Sequence, residues 1–212
     1  MSNIDYDKTQ EYVTSLVPPR DPEMRKMEEY AEGQGFPIIG PACGYYCYQL
    51  ARLIGARSVF ELGSGYGYST AWFARAVKEN GGGVVHHTVW DDELSQMAKD
   101  HLFNMGYGDM VEFHNAEAVE TLRQTPGTFD IIFNDIDKEG YPDSLPVIKQ
   151  KLRPGGLLII DNMLWDGQIF DPNDHDESTE AIRRFTRDIT TDSDWIVSVV
   201  PLRDGLIVGY KK

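Results

Sequence analysis

Hydrophobic positions along this chain fall into short continuous runs separated by stretches of helical period. Ser58 to Leu62, Val84 to Trp90, Val111 to His114, Phe129 to Phe133 and Leu157 to Ile160 are apolar runs of strand length, bounded by turn residues. Arg153-Pro154-Gly155-Gly156 introduces the last of them. Thr70 to Val77 and Asp92 to Met105 carry helical spacing, the second closing at Gly106, and further helices are expected between the later strands. Strands that read as continuous apolar runs are buried on both faces, as in a parallel sheet whose crossover helices cover both sides.

The flanks extend this pattern. Asp21-Pro22-Glu23 predicts a helix start, with Asp as N-cap, Pro at the first helical position and Gly33 and Gly35 suited to its end. A second helix is expected from Pro41 to about Leu53. After a polar loop from Asp166 to Asp176 comes a helix from about Ser178 to Ile189. Then Trp195 to Val200 and Leu206 to Tyr210, separated by Arg203-Asp204-Gly205, predict an antiparallel hairpin. The sum is an α/β fold: a doubly wound, Rossmann-like, mostly parallel sheet of about seven strands, with an antiparallel C-terminal hairpin and two or three N-terminal helices. We read one domain over 1–212, with a helical segment over 1–55 and an α/β core over 56–212. In such sheets ligands sit at the carboxyl ends of the strands.

Composition narrows the function classes. With 34 acidic against 20 basic residues the formal charge is -14, which repels phosphate backbones and anionic membranes and favours a small-molecule substrate. The opening MSNIDYDKTQ is polar, and no run of about 18 apolar residues follows, so a soluble, cytoplasmic protein is expected. Cys43 and Cys47 share a helix face without two further ligands at matching spacing, and read as packed, reduced thiols.

Candidate chemistry begins at Glu61-Leu62-Gly63-Ser64-Gly65-Tyr66-Gly67-Tyr68-Ser69-Thr70, a glycine-rich turn leaving the first strand and opening a helix. It falls short of the dinucleotide fingerprint G-x-G-x-x-G, because Tyr68 stands at the last glycine position after Gly63 and Gly65, so a nicotinamide cofactor is disfavoured. Asp135 follows the fourth strand, and Asp161-Asn162 follows the fifth. One Asp at a strand end is as often a helix N-cap or a loop hydrogen bond as a ligand. Two carboxylates and an amide carbonyl on adjacent strand ends, without His or Cys, suit a hard cation: magnesium ahead of zinc or copper, with calcium and manganese as other candidates. Asp137, two residues on, reads as a capping or supporting group.

Taken together and in order, these segments resemble the catechol and caffeoyl-coenzyme A O-methyltransferase family, from roughly Ile39 to the carboxyl terminus. They are Val59-Phe60-Glu61-Leu62-Gly63 with Gly67-Tyr68-Ser69-Thr70, Asp135-Ile136-Asp137-Lys138 with Tyr141, Asp161 to Gly167, and Asp204-Gly205-Leu206. The resemblance implies an S-adenosylmethionine-dependent, metal-dependent O-methyltransferase acting on a small catechol-like hydroxylated substrate. It implies that Glu61, Gly63 and Ser69 hold the cofactor's methionine end with help from Ile39. It further implies that Asp135, beside the cofactor, binds the metal with Asp161 and Asn162, and that Lys138 is the general base. A homodimer through the N-terminal helices and edge elements is also implied, as is a role for Trp165 in enclosing the substrate.

Two positions depart from the family pattern. The acidic residue that ends the second strand and binds the ribose is replaced by Val89, and Asp91, two residues on, is the candidate substitute. Ala116-Glu117-Ala118 stands where the family has Gly-Asp-Ala beside the adenine. Two other functions stay open: methylation of a hydroxylated uridine in transfer RNA, against which the charge argues, and a binding protein on the same fold that has lost catalysis. His86 and His87 are assigned no chemistry, and the acidic residues Asp171, Asp174, Asp176 and Glu177 read as a solvated loop.

Overall fold

The computed structural model describes residues 5–212, so residues 1–4 of the polar opening segment lie outside it. Helix α1 (Tyr6–Ser15) starts where the Asp5 carboxylate accepts the Lys8 amide, and supplies the third N-terminal helix. Helix α2 (Pro22–Gln34) begins as expected, with Asp21 accepting the Glu23 amide at 2.8 Å, and ends on Gly35 at φ 64°. Helix α3 (Gly40–Leu53) leads into β1 (Ser58–Leu62), α4 (Tyr68–Glu79), β2 (Val84–Val89), α5 (Asp92–Asn104) and β3 (Val111–Asn115). Then follow α6 (Ala118–Gln124), β4 (Phe129–Asn134), α7 (Tyr141–Lys151), β5 (Leu152–Ile160), α8 (Glu177–Thr191), β6 (Trp195–Val200) and β7 (Leu206–Lys211).

Most boundaries fall within one or two residues of those expected, and two of the shifts have identifiable reasons. Helix α4 starts at Tyr68 rather than Thr70, because Gly67 at φ 91° turns the chain directly into it. Strand β5 takes in Arg153-Pro154-Gly155-Gly156: Leu152 already pairs with Phe129, and the register shifts before Leu157 pairs with Ile131.

The seven strands lie in the order β3-β2-β1-β4-β5-β7-β6. All neighbours are parallel except β7, which runs antiparallel to both β5 and β6. The expected terminal hairpin therefore forms, and its second strand is the one that docks on β5.

Alternation along the strands divides two cores. Val59, Ile131, Phe133, Leu157 and Ile159 pack under α2 to α5, where Trp72, Phe73, Cys43 and Cys47 are buried. Phe60, Leu62, Ile132, Leu158 and Ile160 pack on the other face under α6 to α8, with Leu122, Ile148 and Phe185. Both cysteines are free thiols.

The histidines are accounted for by packing. His87 is buried with Nδ1 3.0 Å from Thr70 Oγ1, and burial pushes its pKa down to about 3, so the ring is neutral. His86 and His114 lie near Glu112 on one face of β2 and β3, an arrangement that could be taken for a metal site. Their facing nitrogens are 3.1 Å apart, their centroids 5.3 Å apart and their planes within 14°. The nitrogens thus sit on the line between two nearly coplanar rings, the geometry of one N–H···N hydrogen bond rather than of lone pairs converging on an ion.

Helix α3 approaches α4 closely because Gly44 has no side chain: a Cβ there would lie 2.1 Å from Nε1 of the buried Trp72. Gly44→Ala is expected to lower stability by about 1–3 kcal/mol through overpacking, read as a lower urea midpoint at unchanged slope.

Candidate active site

The register of the three central strands builds the site. Glu61 pairs with Phe133, and Phe133 pairs with Ile159. Two residues further along each strand, Gly63, Asp135 and Asp161 continue the same row, on the side of the sheet that Val59, Phe133 and Ile159 face. The ladder carries on far enough to hold them there, with the Asp135 amide donating to Leu62 O at 2.8 Å and the Asp161 amide to Asn134 O at 3.2 Å. The strand order reverses between β1 and β4, which opens the crevice beside this row. Gly63 is required by the same closeness: at φ 80°, a Cβ would lie 2.5 Å from the Asp135 carbonyl oxygen.

The glycine turn is tied to β2 through one residue. Thr88 Oγ1 donates to Glu61 O at 2.6 Å and accepts the Gly63 amide at 3.3 Å, while the Thr88 amide donates to Ser64 Oγ at 3.0 Å and the Ser64 amide to Thr88 O at 2.8 Å. Glu61 itself is fully buried, and no donor closes a hydrogen bond to either carboxylate oxygen. Nearby hydroxyls of Ser69, Thr70 and Ser64 favour the charged form, yet burial outweighs them and raises the pKa from its ordinary 4.5 to about 7.

At the ends of β4 and β5, Asp161 is buried and Asp135 half-buried. Asp161 Oδ2 accepts from Arg203 Nη1 at 3.0 Å, while Oδ1 has no partner. Burial first, and then the neighbouring Asp135 charge, raise the Asp161 pKa to about 7 against the opposing pull of Arg203. The Asp135 pKa is also raised by burial, with Lys138 opposing. Lys138 Nζ donates to Asp135 Oδ1 at 2.9 Å, to Ile136 O at 3.2 Å and to Tyr141 Oη at 2.9 Å. Tyr141 Oη in turn donates to Asp161 O at 3.0 Å, so one chain of bonds joins the two acid-bearing strand ends.

A second clamp comes from the turn before β7. Asp204 accepts from Asn162 Nδ2 at 3.2 Å and from the Asp166 amide at 2.7 Å, while Met163 and Leu164 amides donate to Gly205 and Asp204 carbonyls. Asn162 (φ 61°), Trp165 (φ 49°), Asp166 (φ 48°) and Arg203 (φ 50°) are the non-glycine residues with positive φ among the described residues. Asn162, Trp165 and Arg203 line the adjoining cavity, and Asp166 is tied to the same clamp through Asp204, so the local strain is held there.

The row opens onto a cavity of about 560 Å³ whose walls include Ile39, Gly63, Ser69, Asp135, Lys138, Asp161 and Asn162. A smaller cavity of about 270 Å³ shares Gly63 and Asp135 with it and is walled further by Val89, Trp90, Ala116 and Glu117. The structure thus brings nearly every sequence-predicted site residue to one crevice. Glu61 lies buried beneath the wall rather than on it. Asp91 is not brought to either wall: its Oδ1 caps α5 by accepting the Glu93 and Leu94 amides. Glu117 likewise spends its carboxylate on the first turn of α6, accepting the Val119 and Glu120 amides.

Sequence reasoning gave no chemical role to Thr88, Arg203 or Tyr141. Tyr141 lay inside a family segment, but neither Thr88 nor Arg203 carried any signal of spacing. The cavity's donor set suits a hard cation: carboxylate and amide oxygens, one of them buried without a partner, and no sulfur or imidazole.

Gly63→Ala combines a left-handed φ with a backbone clash and is expected to lose more than about 2 kcal/mol of stability. Gly81→Ala, at φ 97° with open space around its Cβ, should cost about 1 kcal/mol. Urea unfolding of both variants separates the clash from the dihedral cost.

Comparison with known proteins agrees with this geometry. The O-methyltransferase family profile matches residues 23–212. A catechol O-methyltransferase from Niastella koreensis is 29% identical over 191 residues, covering 87% of this chain and 86% of that protein. The mouse catechol O-methyltransferase domain-containing protein 1 is 32% identical over 76% of this chain and 63% of its own length. Among solved structures, an O-methyltransferase from Bacillus cereus in complex with SAH superposes with a TM-score of 0.87 at 26% identity, covering 97% of each chain. The O-methyltransferase TomG from Streptomyces achromogenes, in complex with SAM, gives 0.87 at 25% identity over 100% of this chain and 99% of that one. With the family matched over nearly its whole length and the crevice built as described, the chain belongs to the O-methyltransferase family and is an S-adenosylmethionine-dependent O-methyltransferase of the catechol O-methyltransferase-like group.

Proposed function

We propose that this enzyme is metal-dependent and methylates one hydroxyl of a small vicinal diol of the catechol type. The observation that carries the reading is the partnerless, buried Asp161 Oδ1, set in one crevice with Asp135, Asn162 and Lys138. Asp135, Asp161 and Asn162 would hold a hard divalent cation, magnesium first, through oxygen. Bound there, the cation would lower the pKa of an acceptor hydroxyl, and S-adenosylmethionine would supply the methyl group as a sulfonium.

The chain's own groups do the rest. Lys138 Nζ, having first released to solvent through the open cavity one of the three protons it now donates, takes the proton leaving the acceptor hydroxyl. Tyr141 holds Lys138 and the Asp161 carbonyl in fixed relation, so the base does not wander. Ile38 and Trp165 give the cavity apolar walls against which a flat ring packs. Ser69 and Gly63, with Ile39 across the cavity, receive the methionine end, and the two unpaired Glu61 oxygens await an ammonium donor. The adenosine occupies the smaller cavity, between Val89 and Trp90 on one side and Ala116 and Glu117 on the other. Asp91 Oδ2 remains outside its cap and is the residue to test at the ribose.

The charge of -14 favours a small molecule over transfer RNA. No helix among the described residues is long and apolar enough to cross a membrane. Exposed Ile196 and Val199 on the edge strand β6 support a homodimer, for which sedimentation at two concentrations is the test.

Titrating S-adenosylmethionine by calorimetry, with magnesium and then with chelator, tests the central reading. Micromolar binding that weakens in Asp135→Ala, with catechol methylation abolished by chelator, is expected. Methylation that survives chelator would overturn metal dependence, and no binding at millimolar cofactor would support a binding protein instead. Lys138→Ala should lower kcat by about 10²–10⁴-fold while cofactor affinity stays within about threefold.

Glu61 predicts a pH dependence. Its folded pKa lies above its unfolded one, so between about 4.5 and 7 the folded state keeps a proton that the unfolded state has lost. Stability therefore falls as pH rises through that window, by about 3 kcal/mol in total. Glu61→Gln should be more stable than wild type at pH 8 and similar at pH 4.5, while cofactor affinity drops at least tenfold. Denaturation at the two pH values and calorimetry check both halves.

A further inference from the structure

We propose that Arg203 selects an acidic acceptor: an aromatic vicinal diol that also carries a carboxylate, which the arginine binds side-on. The inference rests on the vicinal-diol reading above and adds the substrate's charge to it.

Among the described residues the cavity holds the carboxylates of Asp135, Asp137, Asp161 and Glu139, and two cationic side chains, Lys138 and Arg203. Lys138 has all three donors engaged by Asp135, Ile136 and Tyr141. Arg203 does not. Its Nη1 donates to Asp161 Oδ2 at 3.0 Å, and neither Nε nor Nη2 has a protein partner among the described residues. Nε and Nη2 form the edge of the guanidinium that pairs with a carboxylate in two parallel hydrogen bonds. The bond already made therefore leaves the recognition edge open while Nη1 is pinned to a buried group.

The backbone points the same way. Arg203 sits at φ 50°, a conformation that disfavours a side chain and that glycine would adopt freely. The turn is held in it by two separate elements: the Arg203 amide donates to Gln10 Oε1 of α1 at 2.8 Å, and the Leu202 carbonyl meets Cys43 Sγ of α3 at 3.8 Å. A strained position supported on both sides, carrying a half-used guanidinium into the reaction cavity, is a built feature rather than surface decoration. Electrostatics gives it a purpose. On a protein of charge -14, an anionic acceptor is repelled by the overall field, and its carboxylate needs a local cation to enter.

The test is calorimetry of 3,4-dihydroxybenzoate, 2,3-dihydroxybenzoate and uncharged catechol into protein saturated with magnesium and S-adenosylhomocysteine, so that no turnover occurs. Wild type should bind at least one of the acids about tenfold to a hundredfold more tightly than catechol. Arg203→Gly, which relieves the backbone but also removes the partner of the buried Asp161 carboxylate, is expected to abolish that preference at a temperature where circular dichroism shows the variant folded, and Arg203→Lys, which keeps a cation there, to restore only part of it. Equal affinity for acids and catechol in the wild type would overturn the inference while leaving the diol reading intact. So would a preference for the acids that survives in Arg203→Gly. If S-adenosylhomocysteine binds and none of the three diols does, the diol reading fails and this inference fails with it.

Discussion

The site depends on how closely β1 and β4 approach at their carboxyl ends. Because Gly63 has no side chain, its backbone reaches the Asp135 carbonyl, and the ladder that began at Val59 and Ile131 runs past the formal end of both strands. That continuation holds Asp135, and through β5 Asp161, in a fixed row. Any side chain at Gly63 pushes the two strands apart where the acids are presented. The glycine-rich turn is therefore an element of sheet packing first, and its openness toward a ligand is a consequence.

The same crevice is electrostatically underpaired. Glu61 and Asp161 are buried with three carboxylate oxygens between them lacking a partner, and both have pKa values raised to about 7. Buried carboxyl groups with so few donors destabilise the ligand-free fold, and the well-packed cores on either side of the sheet offset that. Groups that would relieve them, a cation for Asp161 and an ammonium for Glu61, are those the proposed reaction would bring. Stability is thereby linked to ligand binding, because what binds the folded state alone also stabilises it.

Strain is concentrated in the same place. The loop after β5 and the turn before β7 hold each other through Asp204, and together they carry the left-handed Asn162, Trp165, Asp166 and Arg203. A long-range clamp of this kind lets residues more than forty positions apart present one surface.

Much of this was legible in the chain itself. Apolar runs of strand length alternating with helical spacing specify a parallel sheet, because only strands covered on both faces can be apolar throughout. Asp135 and Asp161-Asn162 could be placed at strand ends for the same reason, and their residue types spoke for an oxygen-bound cation. What the tertiary structure alone decided were relations with no local signature. The strand-longer β5 arose from pairing with Phe129, which overrode the turn chemistry of Pro154-Gly155-Gly156. Asp91 turned to cap its own helix, a choice the two main-chain donors of α5 made for it. Thr88 and Arg203 joined the site only because β2 and the β7 turn are brought to β1 and β5 in space. Periodicity reports which face a residue occupies, since that follows from its neighbours in sequence; it does not report which distant donor arrives opposite, since that follows from the packing of the whole sheet.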